Sequence, residues 1–208
     1  MKIKVIGFSG VSGAGKTTLA KKLSQKLNAS CLFWDDFDDI SSSPDDYVQW
    51  YFRGSDYKEF NYVSLAHVLF ELKKGNHIVH PVFKNVIPPT PFIVFDAPPG
   101  RLHEQTGQFI DYQVHIDVPL DISLVRRTMR DFKNENKTKE ELIDDLEFYL
   151  NYSRPLFFDE QLKLKADCII NGCLSTEEQV EIVYQNLKVK KILIQDENSF
   201  LNKDDTNI

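Results

Sequence analysis

Apolar positions along this chain follow two periods, about two residues in some stretches and about 3.6 in others, and the two alternate. Lys2 to Phe8 (KIKVIGF) is alternating and β-branched, which predicts a first strand; from Thr17 to Asn28, Leu19, Leu23 and Leu27 recur at the spacing of one helix face. A glycine and serine run separates them. Cys31 to Trp34 predicts a short strand that runs into an acidic, serine-rich connection, Asp35 to Asp46, and a helix is expected from Asp45 into Tyr51. Tyr62 to Lys74 has helical spacing and stops at Gly75. His77 to Phe83 reads as a strand or hairpin arm, which Pro81 demotes to an edge or a bulge. Phe92 to Phe95 is a compact run of the buried-strand kind, and Gln113 to Val118 is the next strand. A basic helix is predicted over Pro119 to Phe132, an acidic one over Lys139 to Tyr152, and a short helical stretch from Arg154-Pro155. Ala166 to Ile170 is the last expected strand. Ser175 with Glu178 three residues on forms a capping box that opens a final helix to about Leu193. Strands alternating with helices predict one doubly wound α/β domain over residues 1–195, a parallel sheet with helices on both faces, and a frayed polar tail over 196–208.

Composition narrows the class. With 208 residues, 42% of them hydrophobic and 27% charged, the chain can bury a core without a disulfide or a metal. Cys31, Cys168 and Cys173 lack ligand or framework spacing, the N-terminal apolar run is too short for a secretory signal, and no window nears the ~20 apolar residues of a membrane span. The expected setting is therefore cytoplasmic, with no membrane partner. A net charge of -6 argues against a broad basic face for nucleic acid.

The strongest chemical signal nonetheless points to a polyanion. Gly10-Val11-Ser12-Gly13-Ala14-Gly15-Lys16-Thr17 satisfies G-x-x-x-x-G-K-[ST] between a predicted strand and a predicted helix. Such a loop turns successive backbone N–H groups toward phosphates, and the helix start adds its positive dipole end. Gly10, Ser12, Gly13, Ala14, Gly15, Lys16, Thr17 and Thr18 are the expected nucleotide contacts, with Lys16 on the β- and γ-phosphates and Thr17 on Mg²⁺. Asp96, at the end of the apolar run Ile93-Val94-Phe95, is the second expected metal ligand.

Other residues choose among phosphate-loop proteins. Asn202 to Asp205 matches a guanine-reading string but lies in the polar tail, and Asp96 to Gly100 is one residue too long for a GTPase switch. A small-molecule kinase needs a carboxylate for the acceptor hydroxyl and arginines for the phosphoryl oxygens. Asp35 and Asp36, after the second predicted strand, are the candidates for the first. Arg126, Arg127 and Arg130 supply the second, spaced to share a helix flank, although an ordinary charged surface would have the same spacing.

On these residues the chain resembles the uridine kinase, nicotinamide riboside kinase and phosphoribulokinase family. VIGFSGVSGAGKTTLAKKL is similar to the family's opening, WDDF (Trp34 to Phe37) to the segment bearing its catalytic base, RRTMRD (Arg126 to Asp131) to its lid, and SRPLFFDEQLKLKADCII (Ser153 to Ile170) to the lead into its last strand. The resemblance implies a nucleoside-kinase-like P-loop fold with a basic lid over about 120–150, and ATP and Mg²⁺ as cosubstrates. It also implies phosphoryl transfer to a hydroxyl of a small acceptor. Asp35, Lys16, Arg126 and Arg130 then fall in catalytic roles, and Arg127 beside the nucleotide. Departures lie on the acceptor side: Asp96-Ala97-Pro98-Pro99-Gly100-Arg101 replaces an E-G turn, Phe83 replaces a tyrosine, and the Y/F-D-x-P pattern becomes Tyr57-Lys58-Glu59-Phe60-Asn61. Asp45, Phe83, Arg101 and Arg154 are the acceptor-site candidates. The departures leave open a non-catalytic ATP-binding protein, or a kinase for a nucleotide or cofactor precursor; a homo-oligomer is also left open.

Overall fold

Val5, Ile6 and Phe8 are wholly buried, so the first strand, β1 (Lys4–Ser9), is covered on both faces; the computed structural model, which describes residues 2–134, 138–158 and 160–193, sets it at the centre of the sheet. α1 (Lys16–Leu27) lays Leu19, Ala20 and Leu23 on one face and ends at Asn28, which takes the left-handed conformation. β2 (Ser30–Phe33) leads directly into a 3₁₀ turn, Asp35–Ile40, where the sequence predicted only a connection. α2 (Tyr47–Phe52) starts where Asp46 accepts the Gln49 N–H, and α3 (Val63–Lys73) stops ahead of Gly75 as expected.

The stretch around His77 to Phe83 shortens to a hairpin of β3 (Ile78–Val79) with β4 (Val86–Ile87), separate from the main sheet. Pro81 removes a ladder donor, and His80 draws the next two backbone N–H groups, of Val82 and Phe83, onto its own Nδ1. β5 (Phe92–Asp96) is buried throughout. After it come α4 (Glu104–Gly107), β6 (Tyr112–Asp117) and α5 (Leu120–Asn134).

α6 (Lys139–Phe148) is shorter than predicted: Pro155 lacks the N–H that would continue the ladder, and the chain widens into a π turn, Tyr149–Ser153, then a 3₁₀ turn, Arg154–Phe157. α7 (Glu160–Leu164) precedes β7 (Cys168–Asn171). The expected capping box at Ser175 and Glu178 is formed at the start of α8 (Thr176–Val189), which ends ahead of Lys191 at φ 55°. The predicted lid corresponds to α5 and α6, apart from residues 135–137, which lie outside the described residues, as does the tail 196–208.

The sheet is parallel in the order β2-β5-β1-β6-β7. One core, with Leu65, Leu69 and Leu72 of α3 against Ile93 and Phe95, fills one face. A second core, with Leu19 and Leu23 of α1 and Val183 and Leu187 of α8 against Ile6, Phe8 and Val114, fills the other. Such a doubly wound sheet binds ligands at the carboxyl ends of its strands, where the central β1, its neighbour β5 and the edge strand β2 deliver Gly10, Asp96 and Asp35. Among the described residues no helix is long and apolar enough to cross a membrane.

Candidate active site

The loop after β1 turns through glycines with positive φ, and Gly13 (φ 86°) has a second constraint: a Cβ there would stand 2.2 Å from the Ser123 carbonyl oxygen at the start of α5. The loop tip therefore presses directly on the lid helix. Lys16 Nζ donates to the Val11 carbonyl at 3.1 Å, folded back along the loop. Burial lowers its pKa, opposed by the Asp96 and Asp35 carboxylates, while Arg130 adds to the lowering.

Thr17 Oγ1 donates to Asp96 Oδ2 at 2.6 Å. Asp96 is 5% exposed and its Oδ1 is buried without a hydrogen-bond partner. Burial raises its pKa against the pull of Lys16 and the Thr17 hydrogen bond. A buried carboxylate oxygen with no donor is a costly arrangement, which a cation relieves. Hydroxyl and carboxylate oxygens are the ligands Mg²⁺ prefers, and it commonly keeps waters and phosphate oxygens in its remaining positions. Thr17 and Asp96 fit that ion. The cavity in front of them, about 360 Å³, is lined also by Lys16, Asp35, Arg126 and Arg130.

A larger cavity of about 890 Å³ opens on the other side of Asp35, which lines both. Its walls are aromatic. Trp34 packs on Tyr62 with centroids 3.8 Å apart and sits edge-on to His103 at 4.9 Å. His103 is fixed in turn by Thr106 Oγ1 at 2.8 Å and the Phe60 carbonyl at 3.0 Å. Tyr62 donates its phenol proton to Asp38 Oδ1 at 2.6 Å. Trp50, 7% exposed, packs edge-on to Phe60 and Tyr57.

The sequence-predicted residues divide between the two cavities and the surface. Gly10, Ser12, Gly13, Gly15, Lys16, Thr17, Thr18, Asp96, Arg126 and Arg130 line the smaller cavity; Ala14 lies beneath the loop, buried in the core. Arg126 also donates to the Gly172 carbonyl at 2.9 Å, and Arg130 pairs with Asp131 at 2.7 Å. Arg127, roughly 100° around the helix from Arg126, lies over Phe157 and Tyr149 (4.8 and 5.5 Å) in the wall of the larger cavity, which Gly10, Val11 and Ser12 of the loop also line.

The four acceptor-site candidates line neither cavity. Arg101 pairs with Asp167 at 2.7 Å and bonds the carbonyls of Ile110, Asp111 and Lys165, so its guanidinium ties the entry of β6 to that of β7. Phe83 is exposed at the hairpin, its ring on His80 at 4.7 Å. Arg154 is exposed over Phe158 at 5.3 Å, and Asp45 is exposed ahead of α2. The sequence offered Asp38 only as one member of an acidic run and gave no sign of Tyr62; the structure sets Asp38 one 3₁₀ turn after Asp35 and brings Tyr62 to it.

A phosphate loop, a strand-end carboxylate beside its threonine, two arginines facing the loop and an adjoining cavity that shares Gly10, Ser12, Pro98 and the carboxylate of Asp35 define a P-loop kinase of a small molecule. Residues 5–174 match the phosphoribulokinase / uridine kinase family. The chain belongs to that family. It is similar to the uridine kinase of Borrelia garinii subsp. bavariensis, 32% identical over 80% of this chain and 85% of the relative, and to that of Borrelia duttonii, 29% identical over 95% and 99%. Among solved structures, a possible uridine kinase from Bacillus stearothermophilus overlays with TM-score 0.48 at 20% identity, covering 82% of this chain and 90% of that one. The protein is accordingly an ATP-dependent phosphotransferase that phosphorylates a hydroxyl of a nucleoside-like acceptor.

Proposed function

We propose that this protein is a nucleoside kinase that uses Mg²⁺ and ATP, with uridine the first acceptor to test, and that Asp35 is its catalytic base. The observation that carries the reading is that, of the four described residues lining both cavities (Gly10, Ser12, Asp35 and Pro98), Asp35 is the one with an ionisable side chain. The loop amides from Gly10 to Thr18 hold the phosphate chain, and Lys16 leaves the Val11 carbonyl to meet its terminal oxygens. Bound between Thr17 and Asp96, Mg²⁺ would neutralise phosphate charge.

Asp35 accepts a hydrogen bond from the acceptor hydroxyl, aims that hydroxyl's lone pair at the γ-phosphorus and takes its proton as the new O–P bond forms and the bond to the bridging oxygen breaks, ADP leaving with that oxygen. Arg126 and Arg130, one helical turn apart on α5, face the oxygens that gain charge during transfer. Closing the aromatic cavity over the acceptor would keep water from competing for the phosphoryl group.

ADP release measured with each of the four common ribonucleosides tests this. One of them should release ADP well above the ATP-only rate. Asp35→Asn should lower kcat about 10²- to 10⁴-fold, with the KM for ATP nearly unchanged. Undiminished turnover by that variant would remove Asp35 from the role, and no acceptor-dependent release at all would remove the nucleoside-kinase reading.

A further inference from the structure

Asp35 and Asp38 stand at the first and fourth positions of one 3₁₀ turn, where residues three apart eclipse, and both line the larger cavity. Asp38 is held. Its Oδ1 accepts the Tyr62 phenol proton, and Tyr62 is 3% exposed, pinned by the face of Trp34 and by its own N–H on Gln105 Oε1 at 2.8 Å. Burial, with the carboxylate beside it, pushes the phenol pKa far up, so the proton stays on Tyr62 throughout the working range. A phenol has one proton, and a carboxylate has none. What this pair offers the cavity is therefore acceptors only: the second Asp38 oxygen and the remaining phenol lone pairs.

Charge in the same cavity points the same way. Among the described residues lining it, Arg127 is the sole Lys or Arg, and its guanidinium rests on Phe157 and Tyr149. Asp35, Asp38, Asp131, Asp145 and Glu160 are there with it, Asp131 paired with Arg130, and the loop reaches this cavity only through Gly10, Val11 and Ser12. The lysine and arginines that face phosphate lie on the other side of Asp35. A planar group finds aromatic faces here, and a hydroxyl finds an acceptor. A phosphate finds mostly like charge.

We infer that Asp38, anchored by Tyr62, is the specificity-determining carboxylate of the acceptor site: it takes the hydroxyl protons of an unphosphorylated nucleoside, and the cavity rejects acceptors that already carry phosphate. The inference rests on the nucleoside-kinase reading and adds to it which residue reads the sugar and which charge class is excluded.

The test uses whichever of the four ribonucleosides gives the fastest ADP release, with its 2′,3′-dideoxy and 3′-phosphate analogues. Wild-type kcat/KM should fall about 10- to 100-fold on removing the two hydroxyls, the range for hydrogen bonds to a charged group, and at least as far on adding the phosphate. Asp38→Asn, which presents an amide N–H₂ in place of the second acceptor, should bring the ribo-to-dideoxy ratio to within about threefold by losing activity on the ribonucleoside, with the KM for ATP unchanged. Tyr62→Phe keeps the carboxylate and removes its anchor, and should shrink the ratio by a smaller factor. An Asp38→Asn protein that keeps the wild-type ratio, or a wild-type enzyme that uses the 3′-phosphate as well as the nucleoside, overturns the inference and leaves Asp35 and the kinase reading standing. No release with any ribonucleoside overturns both.

Discussion

Two cavities meet at Asp35, and they are built differently. The smaller comes mainly from one continuous stretch, Gly10 to Thr18, completed by Asp96 and two arginines. It is polar, and backbone fixes its shape. The larger borders that loop at Gly10 to Ser12 and the turn at Pro98, but gathers most of its wall from Trp34 to Tyr62 and from Arg127 to Leu162, and aromatic side chains dominate it. Phosphate is the same group whichever molecule carries it, so a local motif suffices to hold it. An acceptor differs from one kinase to the next, so the cavity proposed for it has to be assembled from side chains brought together by the fold.

Lys16→Ala would open the widest gap between the two. It should lower kcat/KM about 10²- to 10³-fold, the scale of removing one charge-stabilising donor, while nucleoside binding followed by Trp34 and Trp50 fluorescence stays intact. Loss of that fluorescence response would show the cavities to be one coupled unit.

A smaller effect should come from pH. Because Asp96 sits above its ordinary 3.8 in the metal-free protein, it must release its proton for Mg²⁺ to bind. The half-saturating Mg²⁺ concentration should therefore rise as pH falls, beginning at a higher pH than an ordinary aspartate would give, and Mg²⁺ titrations of turnover at successively lower pH check that direction. Nucleoside affinity should be flat where that rise begins, so a parallel change in both would blur the division.

Arg127→Gln should have the mildest consequence. It should raise the KM for the acceptor by about two- to threefold, as expected for a partly exposed cation on aromatic faces, and leave the KM for ATP alone. A rise confined to ATP would return Arg127 to the phosphate side.

The same division decides what the sequence could reveal. The phosphate loop and Asp96 were legible because each depends on neighbours in the chain: a strand, a glycine turn, a helix start, a strand end. The alternation of strands and helices gave the sheet and its two covered faces. Arg126, Arg127 and Arg130 were legible as a helix flank, but spacing alone could not say that α5 would turn Arg127 onto Phe157. Arg101 looked free in a proline-rich loop until Asp167, distant in sequence, captured it. Phe83 was expected inward, and the bonds from its own N–H and that of Val82 to His80 leave its ring outside. Asp38 was one of many acidic residues in a connection, and only the 3₁₀ turn and the phenol of Tyr62 distinguish it.

The close approach at Gly13 has a consequence for assembly. Loop and α5 meet there as backbone against backbone, with no side chain between them to act as a spacer. Any residue larger than glycine at position 13 would have to push the start of α5 away from the loop that Lys16 and Thr17 follow. The fit between loop and helix is thus set by a gap smaller than a methyl group.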